Sequence, residues 1–378
     1  MPILRLEDLE VEFYYQDSGV PILEDKPYTT LVILHGYGFN GHIFHRLIPI
    51  ATASHIRLLL VNRRGYSGST PFKTEETAAF DPSLINEDGN SPPSSRVIAQ
   101  HYTSFLQQRG AEIARFLAKF IDTEKIPAKS EEEGRAVGGI SLMGWSLGNV
   151  ISLSMLAFAN TYDPGLMKKL EPYLKKIVIY DPPHHALGFP TPAGAYNPLF
   201  DEEIPLDQRQ GKFSEWVSAY YLHPASVRDS KTPFNNIINV LEQKVSETSK
   251  PPTLTRIPPA DLAKGLTRVT PEVADDFLLL DQARSIHKAI RIRALFGNHN
   301  EGNARLIFPN VGISYVWGTE SIWEAVFAMK GVQEETVNPP AYHYLARTVK
   351  FFAIEGGNHW THWDNPLRAL GFFEQAIE

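Results

Sequence analysis

Three residue types that together make a hydroxyl reactive stand along this chain in a usable order: a serine between glycines, a carboxylate, and a late histidine. Ser146 sits in Gly144-Trp145-Ser146-Leu147-Gly148, a G-x-S-x-G pattern. A serine hydroxyl is a poor nucleophile at neutral pH and needs a base within hydrogen-bond reach. His359, at the end of Glu355-Gly356-Gly357-Asn358-His359, can be that base if the far end of the chain is delivered to position 146. A third group must accept the other ring N–H, fix the tautomer and stabilise the imidazolium as it forms. Two acids stand where strands should end, Asp181 ahead of Pro182-Pro183 and Glu320 in Gly318-Thr319-Glu320-Ser321. Asp181 is the first choice and Glu320 the alternative. Each also has a plainer reading, Asp181 as a carboxylate capping a turn and Glu320 as an acid at the start of the helix through Trp323 and Phe327. An oxyanion needs free backbone N–H groups. The turn His35-Gly36-Tyr37-Gly38 and the residue after the serine offer Tyr37 and Leu147 as the two donors.

These residues need a scaffold, and the flanking sequence reads as one. Glycines at 144 and 148 fit a tight turn whose flanks have no room for a Cβ. Ile140, Leu142 and Met143 make a short buried strand before it, and 150–158 reads as an apolar helix after it. Residues 9–15 alternate like an edge strand, turned back by Asp17-Ser18-Gly19. Residues 30–34, 56–61, 176–180, 313–317 and 349–354 are further strands, the first two continuous apolar runs that suit parallel strands buried on both faces. A helix over 96–121 carries an apolar stripe at Ile113, Phe116, Leu117, Phe120 and Ile121, and 367–377 closes the chain as a helix. Residues 71–95 read as a surface loop near the site mouth, and Glu131-Glu132-Glu133 as a solvated loop.

Between 180 and 313 lies a block too long for a loop and too interrupted by proline for the sheet, with helical pieces at 213–223 and 234–245. It reads as a lid over the strand ends. Trp216, Tyr220 and Tyr221 lie at helical spacing there, either lining an apolar pocket or forming the lid's own core. With Gly36, Gly38 and Trp145 at the turns, Trp216 and Tyr220 are the candidates to touch substrate.

The order of motifs, a His-Gly turn, then Arg64-Gly65-Tyr66-Ser67-Gly68-Ser69, then the serine elbow, resembles the α/β-hydrolase superfamily from about residue 30 to 366. The resemblance implies an α/β fold, a mostly parallel sheet flanked by helices. Residues 1–181 and 311–378 would form the core, with 182–310 as a helical lid between the sixth and seventh strands. In that family the arginine and glycines of the second turn are structural, and Asn62 replaces an aspartate that also serves as scaffolding. The run from His359 to Asp364 and Pro366 resembles the family's histidine loop and singles out His359 over His362. The family's common acid position falls on Ser321, whereas some members keep their acid where Asp181 stands. Epoxide- and haloalkane-cleaving relatives place an aspartate where this chain has Ser146. The elbow looks like that of methyl-ester carboxylesterases acting on carrier-bound substrates, and the chain like hydrolases of fungal secondary-metabolite and toxin pathways.

The expected activity is therefore hydrolysis of an ester, thioester or lactone of a small apolar substrate through an acyl-enzyme. The alternative is a ligand receptor, or a non-hydrolytic cyclase or lyase, using the same pocket. Composition narrows the partners. With 378 residues, 43% of them apolar, a sizeable core is available, and a net charge of −7 without basic clusters argues against nucleic acid. No cysteine is present, which excludes disulfide and thiolate chemistry. No stretch has the length and apolarity of a membrane helix and the first residues lack a signal peptide's apolar run, so a cytoplasmic protein is expected. No cofactor is expected. No metal set is read either: His42 and His45 lack a third ligand at suitable spacing, and adjacent His184 and His185 should not converge on one ion. The partner is a small molecule, and the oligomeric state is open, a homodimer being one option.

Overall fold

The computed structural model describes residues 2–22, 27–80, 95–132, 134–227, 233–246, 250–267, 274–300, 303–339 and 345–378. Among them, eight strands form the main sheet: β1 (Ile3–Leu6), β2 (Val11–Asp17), β3 (Thr29–Leu34), β4 (Ile56–Val61), β5 (Ile140–Trp145), β6 (Leu174–Tyr180), β7 (Gly312–Gly318) and β8 (Val349–Ile354). Their spatial order is β1-β2-β4-β3-β5-β6-β7-β8. β2 pairs antiparallel with β1 and β4, and the other pairs are parallel.

Every residue of β3, β4 and β5 is buried. A parallel strand covered on both faces has no solvent side on which to place polar residues, hence the continuous apolar runs. β2 alternates buried and half-buried positions, as a strand near the sheet edge does. β1 had no periodic signal of its own; its four residues are held by pairing with β2.

Among the described residues the longer helices are α1 (Ser95–Glu124), α2 (Gly148–Ala157), α3 (Leu206–Val217), α4 (Asp281–Phe296), α5 (Trp323–Val337) and α6 (Pro366–Ile377). α1, α2 and α4 pack on one another, while α6 lies on β6, β7 and β8 beside the 3-10 turn Gly41–Leu47. All ten residues of α2 are buried. Because β3 to β8 run the same way, the segments leaving β3, β5, β6 and β8 emerge at one edge of the sheet, the position at which open α/β sheets bind ligands.

The stretch between β6 and β7 departs from expectation in its details. The helix expected over 213–223 instead runs Leu206–Val217, and 234–245 holds only a 3-10 turn, Phe234–Asn239. After Val217 the chain is drawn out by tertiary bonds, such as Tyr221 N–H to the Glu320 carbonyl at 3.0 Å, which helical phase would break. The stretch 182–310 is also of two kinds, since α4 packs on α1 and α2, helices of the core. Of the loop expected over 71–95, residues 81–94 lie outside the described residues, as does Glu133; 71–80 contain a helical turn, Thr74–Thr77. Among the described residues, no helix is long and apolar enough to cross a membrane.

Candidate active site

β5 ends at Trp145 and α2 begins at Gly148, so Ser146 and Leu147 alone make the turn. Ser146 has φ +54°, in the left-handed region that L-residues adopt at a cost of about 1 kcal/mol or more. Hydrogen bonds hold it there. Its N–H donates to the Tyr180 carbonyl at 3.0 Å, and its own carbonyl accepts from the Asn149 Nδ2 amide at 2.8 Å. A Cβ on Gly144 would stand 2.5 Å from Ser152 Oγ, and one on Gly148 2.4 Å from the His35 carbonyl oxygen, so the strand and helix can approach only through these glycines.

The next strand supplies the carboxylate. Asp181, also at positive φ (+46°), follows Tyr180, whose carbonyl already holds Ser146. Its side chain is fully buried and accepts three hydrogen bonds: from Gly318 N–H at 3.1 Å, from Ser321 Oγ at 2.5 Å, and from His359 Nδ1 at 2.6 Å. Only the Nδ1–H tautomer can donate to a carboxylate, which leaves His359 Nε2 as the basic nitrogen. Trp145 ties this histidine to the elbow, its indole N–H donating to the His359 carbonyl at 3.1 Å and its ring centre 4.8 Å from the imidazole. His362 is oriented otherwise. It stacks on Phe44 at 4.0 Å, its Nδ1 meets the Tyr180 hydroxyl at 3.2 Å, and burial holds its pKa well below the usual value. Glu320, the alternative acid, turns away to Lys250 at 2.8 Å. Its place is taken by its neighbour Ser321, which reaches Asp181 instead of the imidazole.

The turn after β3 approaches the serine from the other side. A Cβ on Gly36 would lie 2.7 Å from Ser146 Cβ. Arg63 holds the carbonyls of His35 and Gly36, both at 2.9 Å. In a planar trans peptide C=O and N–H point opposite ways, so fixing the Gly36 carbonyl toward Arg63 sends the Tyr37 N–H away from it. Arg63 is itself locked by a bidentate pair with buried Asp275, at 2.8 and 2.6 Å. Tyr66 also bonds Asp275, and its oxygen accepts from Gly38 N–H at 3.0 Å. Among the described residues, neither the Tyr37 nor the Leu147 N–H has a hydrogen-bond partner.

The profile described as the alpha/beta hydrolase family matches residues 31–370. The chain belongs to this family. No curated protein sequence matches it. Solved structures similar to this hydrolase-family chain include a bromoperoxidase from Bacillus anthracis, 13% identical, covering 100% of this chain and 97% of that one with a TM-score of 0.44. Another is an N-acyl homoserine lactone degrading enzyme, 13% identical, covering 99% of each chain, TM-score 0.46. A third is the thioesterase domain from the curacin biosynthetic pathway, 14% identical, covering 98% and 97%, TM-score 0.44.

In this α/β hydrolase Ser146, Leu147 and Tyr37 border a cavity of about 530 Å³. Much of its wall is apolar, from Leu199, Phe200, Phe213, Val217, Ile322 and Trp323. Four of these come from the stretch between β6 and β7. Trp216 and Tyr220, expected as candidates to touch substrate, do not line this cavity. The Trp216 indole donates to the Gln243 carbonyl at 2.8 Å, and the Tyr220 hydroxyl donates to Asp364 in the histidine loop. Asn358, just before His359, is clasped in the same way, donating to the Ser218 carbonyl and Thr253 Oγ1, each at 2.8 Å. Tyr220, Ser218 and Thr253 thus grip the histidine loop. Trp145, Gly36 and Gly38 also lie behind the cavity surface, shaping the turns rather than lining the cavity.

The sequence reading missed Arg63 and Asp275, which are 212 residues apart. Of the Arg63-Arg64 pair, the motif drew attention to Arg64, which braces Glu76 at 2.8 Å and Glu112 at 3.0 Å. Asn62 behaves as scaffolding, accepting from Gly41 N–H and donating to the Ser67 carbonyl. The judgement against metal-ligand groups needs correction in its geometry. Among the described residues, two groups bring ligand atoms within 4.8 Å of one another: His42, His45 and Asp261, and His184, His185 and Glu324. Spacing failed in the first because Asp261 arrives from a helix distant in sequence, Pro259–Gly265, and in the second because a tight 3-10 turn, His184–Leu187, sets adjacent rings 84° apart around a shared partner.

Proposed function

We propose that this chain is a serine hydrolase acting on esters, thioesters or lactones with an apolar acyl or alcohol group. The observation that carries this reading is the 2.6 Å contact between Asp181 and His359 Nδ1, at strand ends adjoining a serine held at positive φ. In this reading Ser146 Oγ attacks the carbonyl carbon while His359 Nε2 takes its proton, and Asp181 stabilises the imidazolium. Negative charge forms on the former carbonyl oxygen and is met by the N–H groups of Tyr37 and Leu147. The tetrahedral species collapses, the leaving group departs with the proton from His359, and an acyl group remains on Ser146. Water, deprotonated by His359, then attacks the acyl carbon and frees the serine.

The stretch from Pro182 to about the start of α4 acts as the lid that selects substrate, a role supported by its contribution of Leu199, Phe200, Phe213 and Val217 to the cavity. The test is hydrolysis of p-nitrophenyl esters of rising chain length. The wild-type chain should cleave them, with longer acyl groups preferred to acetate, and Ser146→Ala should fall to background. Acetate as the best substrate would overturn the apolar acyl site. Turnover that survives in Ser146→Ala would overturn the nucleophile.

A further inference from the structure

Part of the cavity wall is polar, and the proposed reaction leaves it unused. His184, His185, His287, Glu324, Thr191 and Asn197 all line the cavity into which Ser146 opens. Their hydrogen bonds assign donors and acceptors. His287 Nδ1 lies 2.9 Å from the His185 carbonyl oxygen, which can only accept, so Nδ1 carries the hydrogen. Burial keeps this imidazole neutral, with its pKa pushed down to about 4. Its Nε2 is therefore a bare acceptor, and that atom is buried without a partner on a side chain only 1% exposed.

His184 adds a second unmet nitrogen. Its Nε2 meets the Thr191 hydroxyl, which can donate or accept, at 3.0 Å, while its Nδ1 is buried and has no partner among the described residues. A hydroxyl, itself both donor and acceptor, can satisfy that position in either tautomer. Glu324 takes the Asn197 amide on Oε1 at 3.0 Å. Its Oε2 lies 3.7 Å from Nδ1 of His185, an imidazole whose pKa burial holds well below the usual value. A buried polar atom left unmet is costly, and a ligand group that pairs with it relieves that cost.

We propose that this cluster is a subsite for a hydroxyl group on the ligand, so that the cavity takes a largely apolar acyl or alcohol group bearing at least one hydroxyl. An anion would meet the bare Nε2 of His287 and the Glu324 carboxyl group, neither of which favours added negative charge. A metal ion or ammonium is opposed by Arg284, which lines the same cavity and acts electrostatically on His184. A neutral hydroxyl donates to these atoms without bringing a charge into a buried site. Assigning the hydroxyl to a substrate rests on the serine-hydrolase reading; the binding does not require Ser146 to react.

The test is calorimetric binding of matched pairs to the full chain, alkanamides and their ω-hydroxy counterparts from butanamide to decanamide. At one chain length the hydroxylated amide should bind about tenfold more tightly, the worth of one well-made hydrogen bond. At about pH 8.5, above the value of about 7 to which burial raises the Glu324 pKa, its Oε2 is ionised and can only accept. There Glu324→Gln should cut that preference to within about twofold, because Asn197 would hold the new side-chain oxygen and turn its NH2, a donor, to the cavity. His287→Phe should do the same by removing the Nε2 acceptor. No preference in the wild-type chain at any length, no binding by any amide, or a preference that survives both variants would each overturn the subsite. Retained preference in a chain whose Ser146 proves unreactive would overturn the hydrolase reading and leave the subsite standing.

Discussion

The sheet's carboxyl edge and the polar wall of the cavity are both built from buried hydrogen-bonding groups, yet they are completed to different degrees. At the sheet edge every oxygen of Asp181 is used, and the turns beside it are pinned by backbone bonds and by glycines that admit no side chain. On the other wall His184 Nδ1 and His287 Nε2 have no partner among the described residues, and Glu324 carries a pKa pushed up to about 7 by burial. A satisfied network holds geometry fixed, whereas an unsatisfied one stores affinity for something absent. On the proposed reading, the first region is the preorganised chemistry and the second the recognition.

The largest effect should come from breaking the completed region. Asp181→Asn should lower kcat by about 10⁴-fold by disturbing the His359 tautomer, while Glu320→Gln, which loses only its partner Lys250, should change it less than about threefold. Ester hydrolysis by the two variants checks this, and comparable losses would return Glu320 to contention.

Next comes the support beneath the turn after β3. Asp275→Asn leaves the Arg63 guanidinium buried without its anion, and denaturant unfolding should show a loss of about 3–5 kcal/mol. If Arg63 positions the Tyr37 amide, kcat should fall with KM little changed; a variant that loses stability alone would make the pair purely structural.

The recognition wall should respond in the opposite direction. Glu324 has a folded pKa of about 7 against an ordinary 4.5, so its favourable contribution is complete below the lower value and is lost as pH rises through the upper one. Glu324→Gln cannot ionise. Its stability relative to the wild-type chain should climb with pH from about 4 to 8, by an amount on the order of 3 kcal/mol. Thermal melts across that range check the sign, and a flat difference would show that Glu324 is not held neutral.

The same contrast explains what could be read in advance. Strands buried on both faces announce themselves as apolar runs, and the elbow as two glycines around a serine, because each follows from local backbone geometry. His359 could be separated from His362 by the register of the loop that follows it. Arg63 and Asp275 could not be paired, because nothing local marks residues 212 apart as partners. Nor could Trp216 and Tyr220 be assigned, since helical spacing shows that aromatics share a face without showing what that face meets. Between β6 and β7 the chain takes its shape from contacts with Asp364, Glu320 and Ser321, and periodicity carries no trace of them.

The most direct measurement is covalent labelling by a fluorophosphonate, with the modified residue located by peptide mass mapping. The account predicts modification at Ser146 that is abolished in Ser146→Ala and slowed about 10³-fold or more in His359→Gln, with Glu320→Gln labelled at the wild-type rate. An unlabelled wild-type chain, or labelling at Ser146 that is indifferent to His359, would contradict it.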